Sequence, residues 1–348
     1  MMMAITTGVA VAGAVIMAKM LRNPSRASEL AWEKGRRLSF RPVHKDNEFY
    51  LSRGVQVKEE LKKNSRSVEI YRREWLPQRG RPDEPKALIF LCHGYADTCA
   101  YLNDDLAVRL VENGYAVFGM DYEGHGLSEG LHAYIPSFNT LVEDCIEHFQ
   151  MIKERSEYSG KKCFLFGDSM GGAVSIIAHL KRPEAWDGAV LVAPMCQISD
   201  KAKPPKLVVE VLKKLVDFFP TLPIVPSVDI CEAAFKVPEK RARGASNPVG
   251  YPGRLRLRTG QELLNAVEQI AERMEEINMP FLVLHGGADV LTDPSYSKEL
   301  FKRAQSSDKS IRMYEGSWHN LLHGEPDCVV DKAMEDIIGW LDAHSRLR

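Results

Sequence analysis

The most constraining feature of the chain is a five-residue turn, Gly167-Asp168-Ser169-Met170-Gly171. It follows the apolar run Cys163-Phe164-Leu165-Phe166 and precedes the helix-like stretch Gly172 to Leu180. An exposed nucleophilic serine requires that order of strand, sharp turn and helix. The flanking glycines let the backbone bend without a Cβ clash, so the Ser169 hydroxyl stands at the end of a buried strand. The same five residues also fit an ordinary glycine-rich turn, so their meaning depends on what surrounds them.

The surroundings are regular from about Val68 onward. Short apolar runs fall at Ala87–Cys92, Tyr115–Met120, Cys163–Phe166, Ala189–Ala193, Phe281–Leu284 and Ile311–Tyr314. They are continuous rather than alternating, as expected for strands covered by helices on both faces. Between them lie helical patterns. Phe138, Leu141, Val142, Cys145, Ile146, Phe149 and Ile152 make a stripe at helical spacing, with Ser137 as N-cap. Alternating strands and helices imply an α/β fold with a mostly parallel, doubly wound sheet, and Val68–Leu76 is expected as an antiparallel edge. Residues 196–275 break the alternation and read as a helical lid inserted late in the sheet. The expected organisation is therefore an N-terminal segment and linker (1–45), a first core part (46–195), the lid, and a second core part (276–348).

Composition narrows the partners. A chain of 348 residues with 45% hydrophobic content can bury a large core, and a net charge of −1 offers no general attraction to nucleic acid. The seven scattered cysteines form no C-x-x-C pair, which reads as free thiols in a reducing compartment and gives no metal site. Charge is uneven, however: residues 196–260 hold 12 Lys/Arg against 6 Asp/Glu. That is either a solvated helical surface or a basic, apolar-edged face that approaches membranes or lipid aggregates. Met1 to Ala18 carries no charge and is followed by Lys19, Arg22 and Arg26. Two readings lead: a membrane anchor leaving the remaining chain cytoplasmic, or a plastid or other organelle transit peptide. A secretory signal is a further alternative.

A serine hydroxyl needs a base, and the base needs a carboxylate that orients it. Asp289 follows the run Phe281–Leu284 in His285-Gly286-Gly287-Ala288-Asp289, and His319 follows Ile311–Tyr314 in Glu315-Gly316-Ser317-Trp318-His319. Both fall in loops at strand C-terminal ends, where open α/β sheets collect catalysts. Among the rivals, His285 reads as packed or turn-stabilising, His323 as solvated, and His93 and His125 as members of glycine turns. Asp293, before Pro294, reads as an N-cap. The expected oxyanion donors are the backbone amides of Met170, next to the nucleophile, and Tyr95, in the loop after Ala87–Cys92.

These segments, with Asp121-Tyr122-Glu123-Gly124-His125-Gly126-Leu127-Ser128, resemble the monoacylglycerol lipase branch of the α/β-hydrolases, a serine aminopeptidase or lysophospholipase-like group. The resemblance covers roughly Val68 to the C-terminus. The stretch from Asn247-Pro248 through Arg256-Leu257-Arg258-Thr259 is similar to plant-type members, which include caffeoylshikimate esterases. It implies a Ser169–His319–Asp289 triad, amides of Tyr95 and Met170 for the oxyanion, a helical lid, and cofactor-free hydrolysis of a small-molecule ester of a single-chain lipid. Lid residues Leu207, Val211, Leu215 and Phe218 would line an acyl channel if their helix face points inward. The alternatives are a phenolic ester hydrolase of the caffeoylshikimate type and a non-catalytic small-molecule receptor. Two positions depart from the animal lipases, which carry a glutamate and an arginine where this chain has Asp97 and Tyr101. The plant-type H-x4-D spacing is also one residue short between His93 and Asp97. Gly124 and Gly126 read as structural, allowing a tight loop near the pocket.

Overall fold

Strands that are apolar on both faces must sit at the centre of a sheet with helices on each side. The computed structural model describes residues 35, 45–78, 85–197, 210, 213–225 and 229–346, and it places the apolar runs in that way. Eight strands are seen: β1 (Val55–Lys63), β2 (Glu69–Pro77), β3 (Leu88–Cys92), β4 (Ala116–Met120), β5 (Cys163–Asp168), β6 (Gly188–Val192), β7 (Phe281–Gly286) and β8 (Lys309–Tyr314). Their order in the sheet is β1-β2-β4-β3-β5-β6-β7-β8. β1 and β2 are antiparallel, and the pairs from β4 through β8 are parallel.

One expectation needs correcting. The segment Val68–Leu76 was expected at the edge, yet β2 lies inside the sheet and β1 covers it along its whole length, from Val55 opposite Pro77 to Lys63 opposite Glu69. Among β1 residues only Val55 is buried. Its charged sequence therefore carries no strand signal, and its conformation comes from hydrogen bonding to β2.

The two sheet faces carry separate cores. Leu88, Phe90 and Cys92 of β3 point to one side, where α3 (Phe138–Lys153), α4 (Met170–Lys181) and α7 (Leu257–Glu272) pack. Ile89 and Leu91 point to the other, against α2 (Leu102–Glu112) and α9 (Asp327–Ser345). On the first face Phe90 stacks on Phe149 with ring centroids 4.7 Å apart, a geometry worth about 1 kcal/mol beyond burial. Helix α3 starts where expected, with the Ser137 hydroxyl accepting from the Thr140 amide. Leu263, Ala266, Val267 and Ile270 of α7, near the end of the segment expected as a lid, belong to the first core. Two short helices precede α7: α5 (Ile230–Ala234) and α6 (Pro238–Ala245).

The remaining helices are α1 (Asn47–Ser52) and α8 (Pro294–Arg303). Asp293 caps α8 by accepting from the Ser295 amide. All seven cysteines are free, and five are buried. Among the described residues no helix is long and apolar enough to cross a membrane. The segment Met1–Ala18, with its anchor and transit-peptide readings, lies outside the described residues.

Candidate active site

Ser169 sits between β5 and α4 with φ 55° and ψ −116°, outside the comfortable region for a residue with a side chain. The strain is held by bonds on both sides. The Ser169 amide donates to Val192 of β6, while its carbonyl accepts from the Gly172 and Met195 amides, each at 2.9 Å. The glycines around it are required by space. A Cβ at Gly167 would come within 2.4 Å of the Gly171 oxygen, and one at Gly171 within 1.9 Å of the Cys92 oxygen.

The loops after β7 and β8 meet the serine from the same sheet edge. His319 Nε2 lies 2.9 Å from Ser169 Oγ, and His319 Nδ1 lies 2.6 Å from Asp289 Oδ2. A carboxylate only accepts, so Nδ1 carries the proton and Nε2 is free to accept from the serine hydroxyl. These two loops pack backbone against backbone: the Ala288 amide donates to Ser317, and a Cβ at Gly286 would fall 2.1 Å from the Trp318 oxygen. The Trp318 amide donates to buried Glu325 at 2.6 Å, which fixes the residue next to the histidine.

Electrostatics follow from this geometry. Asp289 is 8% exposed and His319 6%. Burial alone would raise the Asp289 carboxyl, but the His319 charge and bonds from His285 and His319 hold it well below the usual range. Burial also works against the imidazolium of His319. The Asp289 charge and bond, with a further contribution from Asp168, outweigh that and raise it above its ordinary value. Asp168 itself is pushed up to about 6, chiefly by burial, with the Asp289 charge adding and His319 opposing.

The expected oxyanion donors flank the serine. Met170 is the first residue of α4. Tyr95 follows Gly94, whose Cβ position would lie 3.7 Å from the Ser169 Cβ. Among the described residues neither amide has a hydrogen-bond acceptor. The Tyr95 loop is anchored by buried Asp121, which accepts from Thr98 Oγ1, the Cys99 amide and the Leu127 amide, all at 2.7 Å. Gly126, at φ 46°, lies where a Cβ would strike Asp121 at 2.0 Å, and Gly124 also has positive φ, 79°. The reading of both as structural glycines in a tight loop agrees with this geometry.

The two positions that depart from the animal lipases reach toward α6 and the residues just after it. Asp97 accepts from Asn247 Nδ2 at 3.1 Å, and the Tyr101 hydroxyl lies 3.2 Å from the Arg243 carbonyl oxygen. Burial, with the charges of Asp168 and Asp121 adding, pushes the Asp97 carboxyl up to about 7 against the bonds of Thr98 and Asn247. Further bonds stitch this region to the His319 loop. The Asn320 amide donates to Ala234, and the Lys236 and Val237 amides donate to Gly324.

The lid expectations fare less well. Leu207 and Val211 lie outside the described residues. Leu215 is half-buried in a small cluster with Val216, Val225 and Leu257. Phe218 is corrected outright: it is 77% exposed and lines no channel here. The helical backbone ends at Leu215, and the turn that follows swings Phe218 outward. His323, expected to be solvated, is half-buried with its Nε2 out of solvent, and it is pushed down to about 3 chiefly by desolvation, helped by Arg243 and Lys240. Asp168 and Asp121 stand in segments the sequence singled out but were given no role there, and Thr292, whose hydroxyl lies 2.8 Å from Asp289 Oδ2, belongs to no motif. Two surface cavities of about 390 and 200 Å³ are lined by neither Ser169, Asp289 nor His319, so side-chain geometry, not concavity, locates the site.

An eight-stranded, mostly parallel sheet with serine, histidine and aspartate bonded in series at its strand ends defines an α/β-hydrolase. The chain belongs to the serine aminopeptidase S33 family, whose model matches residues 83–327. It is 31% identical over 304 residues to a caffeoylshikimate esterase of Arabidopsis thaliana, covering 85% of this chain and 89% of that protein. It is 32% identical over 273 residues to a monoglyceride lipase of Homo sapiens, covering 78% and 86%. In fold it is similar to a soluble variant of a monoglyceride lipase from Saccharomyces cerevisiae solved with a substrate analog. That match has a TM-score of 0.74 at 21% identity and covers 83% of this chain and 96% of the other.

Proposed function

We propose that the chain is a serine ester hydrolase that cleaves esters of single-chain lipids, monoacylglycerol or lysophospholipid, through an acyl-enzyme. The observation that carries this reading is His319, bonded to Ser169 on one nitrogen and to Asp289 on the other. Ser169 Oγ attacks the ester carbonyl as its proton passes to His319 Nε2. The oxyanion that forms is received by the Tyr95 and Met170 amides, each such donor lowering the barrier by about 3 kcal/mol. Collapse breaks the ester C–O bond, and the alcohol leaves with the proton from His319. Water then attacks the acyl group with His319 as base, releasing the acid and restoring Ser169. Asp289 keeps the imidazole tautomer and stabilises its charged form.

Two features favour a lipid substrate. The monoglyceride lipase relatives span several organisms. The exposed pair Phe218 and Phe219 also stands beside exposed Lys213 and Lys214, an apolar and basic rim suited to a lipid surface. On this reading the enzyme works at a membrane or lipid aggregate, with residues 1–30 anchoring or routing it. A reporter fused to those residues would show a diffuse cytosolic signal if neither is so. The second reading is a phenolic ester hydrolase, favoured by the longer match to the caffeoylshikimate esterase.

Replacing Ser169 with Ala should abolish turnover of a short p-nitrophenyl ester and labelling by a fluorophosphonate. Turnover that survives the substitution refutes the assignment. Long-chain monoacylglycerol and hydroxycinnamoyl esters, compared on the active enzyme, then separate the two substrate classes.

A further inference from the structure

Asp289 sits between two imidazoles. His319 approaches Oδ2 from the loop after β8, and His285, the fifth residue of β7, approaches the same oxygen with Nε2 at 3.1 Å. His285 is 0% exposed. Its Nε2 also lies 3.0 Å from the Thr292 carbonyl oxygen. Carboxylate and carbonyl oxygens both accept only, so Nε2 carries a proton shared between them. On the far side of the ring Nδ1 lies 2.7 Å from Ser297 Oγ, on the first turn of α8, and Ser297 is fully buried. The serine hydroxyl thus donates to Nδ1 and fixes the tautomer that points a proton at Asp289.

The other donors to Asp289 do different work. The Leu291 and Thr292 amides hold Oδ1 at 2.8 and 3.1 Å. Thr292 Oγ1 is 2.8 Å from Oδ2 but also 3.2 Å from the Ala193 carbonyl oxygen, and it has one proton to give. The Thr292 hydroxyl can turn about its Cβ–Oγ bond among these partners, whereas the His285 N–H, though shared with the Thr292 carbonyl, is fixed in direction by its buried ring, so His285 supplies the rigid donor that opposes His319 across Oδ2.

We propose that His285 is a positioning residue for the hydrolytic reaction: set by Ser297, it locks the Asp289 carboxylate toward His319, so the bonded series runs Ser169–His319–Asp289–His285–Ser297. This rests on the reading of Ser169, His319 and Asp289 given above. Besides Asp289, the ionisable groups that bear on His319 here include Asp168 at the end of β5. The bond from His285 is among the influences that keep the Asp289 carboxyl low.

The test uses the full chain, a p-nitrophenyl ester, kcat and KM from pH 5 to 9, and thermal unfolding. His285→Ala should lower kcat by roughly ten- to a hundredfold, the equivalent of one hydrogen bond to a charged group. KM should change by less than about threefold, since no substrate contact is lost. With one donor gone Asp289 becomes a stronger base, His319 holds its proton more tightly, and the acid limb of kcat/KM moves to higher pH. His285→Gln can present an amide N–H to the same oxygen and should restore most of kcat. Ser297→Ala should give a smaller loss with the same direction of shift, and it carries the test if His285→Ala does not fold. A folded His285→Ala enzyme with wild-type kcat and acid limb overturns the proposal. So does loss of thermal stability in both His285 variants with no movement of the limb. Ser169→Ala runs alongside. If it stays active, the underlying assignment fails; if it is dead while the His285 variants behave as wild type, only this inference fails.

Discussion

On the mechanism proposed above, Gly171 sets the separation between the Tyr95 and Met170 amides that would receive the oxyanion, and an alanine there should show it. Its Cβ would lie 1.9 Å from the Cys92 oxygen and 2.5 Å from the Cys92 carbonyl carbon. An ordinary carbon–oxygen approach is about 3.3 Å, so the two backbones must part by more than an ångström. Neither can yield locally, because Cys92 ends β3 in the middle of the sheet and Gly171 lies in the first turn of the buried helix α4. The Tyr95 amide lies three residues beyond Cys92, and the Met170 amide immediately precedes Gly171. Separation of the backbones therefore spreads the two donors apart. Overpacking of this kind costs about 1–3 kcal/mol of stability, and a misplacement near 1 Å costs about a hundredfold in rate. In Gly171→Ala, kcat on a p-nitrophenyl ester should fall on the order of a hundredfold, with KM much less affected and thermal unfolding shifted down. Gly339→Ala is the matched control. Gly339 lies inside α9 with nothing within 4 Å of its Cβ position, so alanine should stabilise by about 0.5–1 kcal/mol and leave kcat alone. A Gly171→Ala enzyme within threefold of wild-type kcat would refute the reasoning.

Two further outcomes follow from the carboxyls beside the site. Asp168 helps to raise His319, so Asp168→Asn should move the acid limb of kcat/KM to lower pH; a limb that stays put, or rises, contradicts the electrostatic reading. Asp97 is raised from its ordinary value to about 7, chiefly by burial. An acid whose folded value is raised binds more protons folded than unfolded, so stability declines as pH climbs from about 4 through 7. Asp97→Asn removes that titration, and its unfolding temperature relative to wild type should be higher at pH 8 than at pH 5. Equal differences at the two pH values would show that Asp97 is not ionising against burial.

Much of this was legible in the sequence, for reasons that differ by element. The strands β3 to β7 announce themselves because each is a continuous apolar run covered on both faces, and Asp293 and Ser137 because a helix cap is a contact within three residues. Strand β1 was invisible because its charged residues face outward and β2 supplies its partners. The apolar positions Leu207, Val211, Leu215 and Phe218 could be read from the sequence, but an amphipathic pattern does not say what covers it, and Phe218 faces water. His285 looked like a packed histidine. Nothing near it in sequence reports that the carboxylate four residues on also receives a second imidazole from the neighbouring strand's loop.

The sequence by itself determined the strand–turn–helix around Ser169, because the glycines, the apolar strand and the helix start are neighbours along the chain and steric limits act locally. It also determined an alternating α/β pattern, and hence a sheet whose loops gather at one edge. Only the tertiary structure decided that Ser169 and His319, 150 residues apart, meet within hydrogen-bonding distance, and that Asp289, 30 residues from His319, is gripped between His319 and His285. Those contacts depend on strand order, loop packing and burial, which arise from the whole core closing around the site.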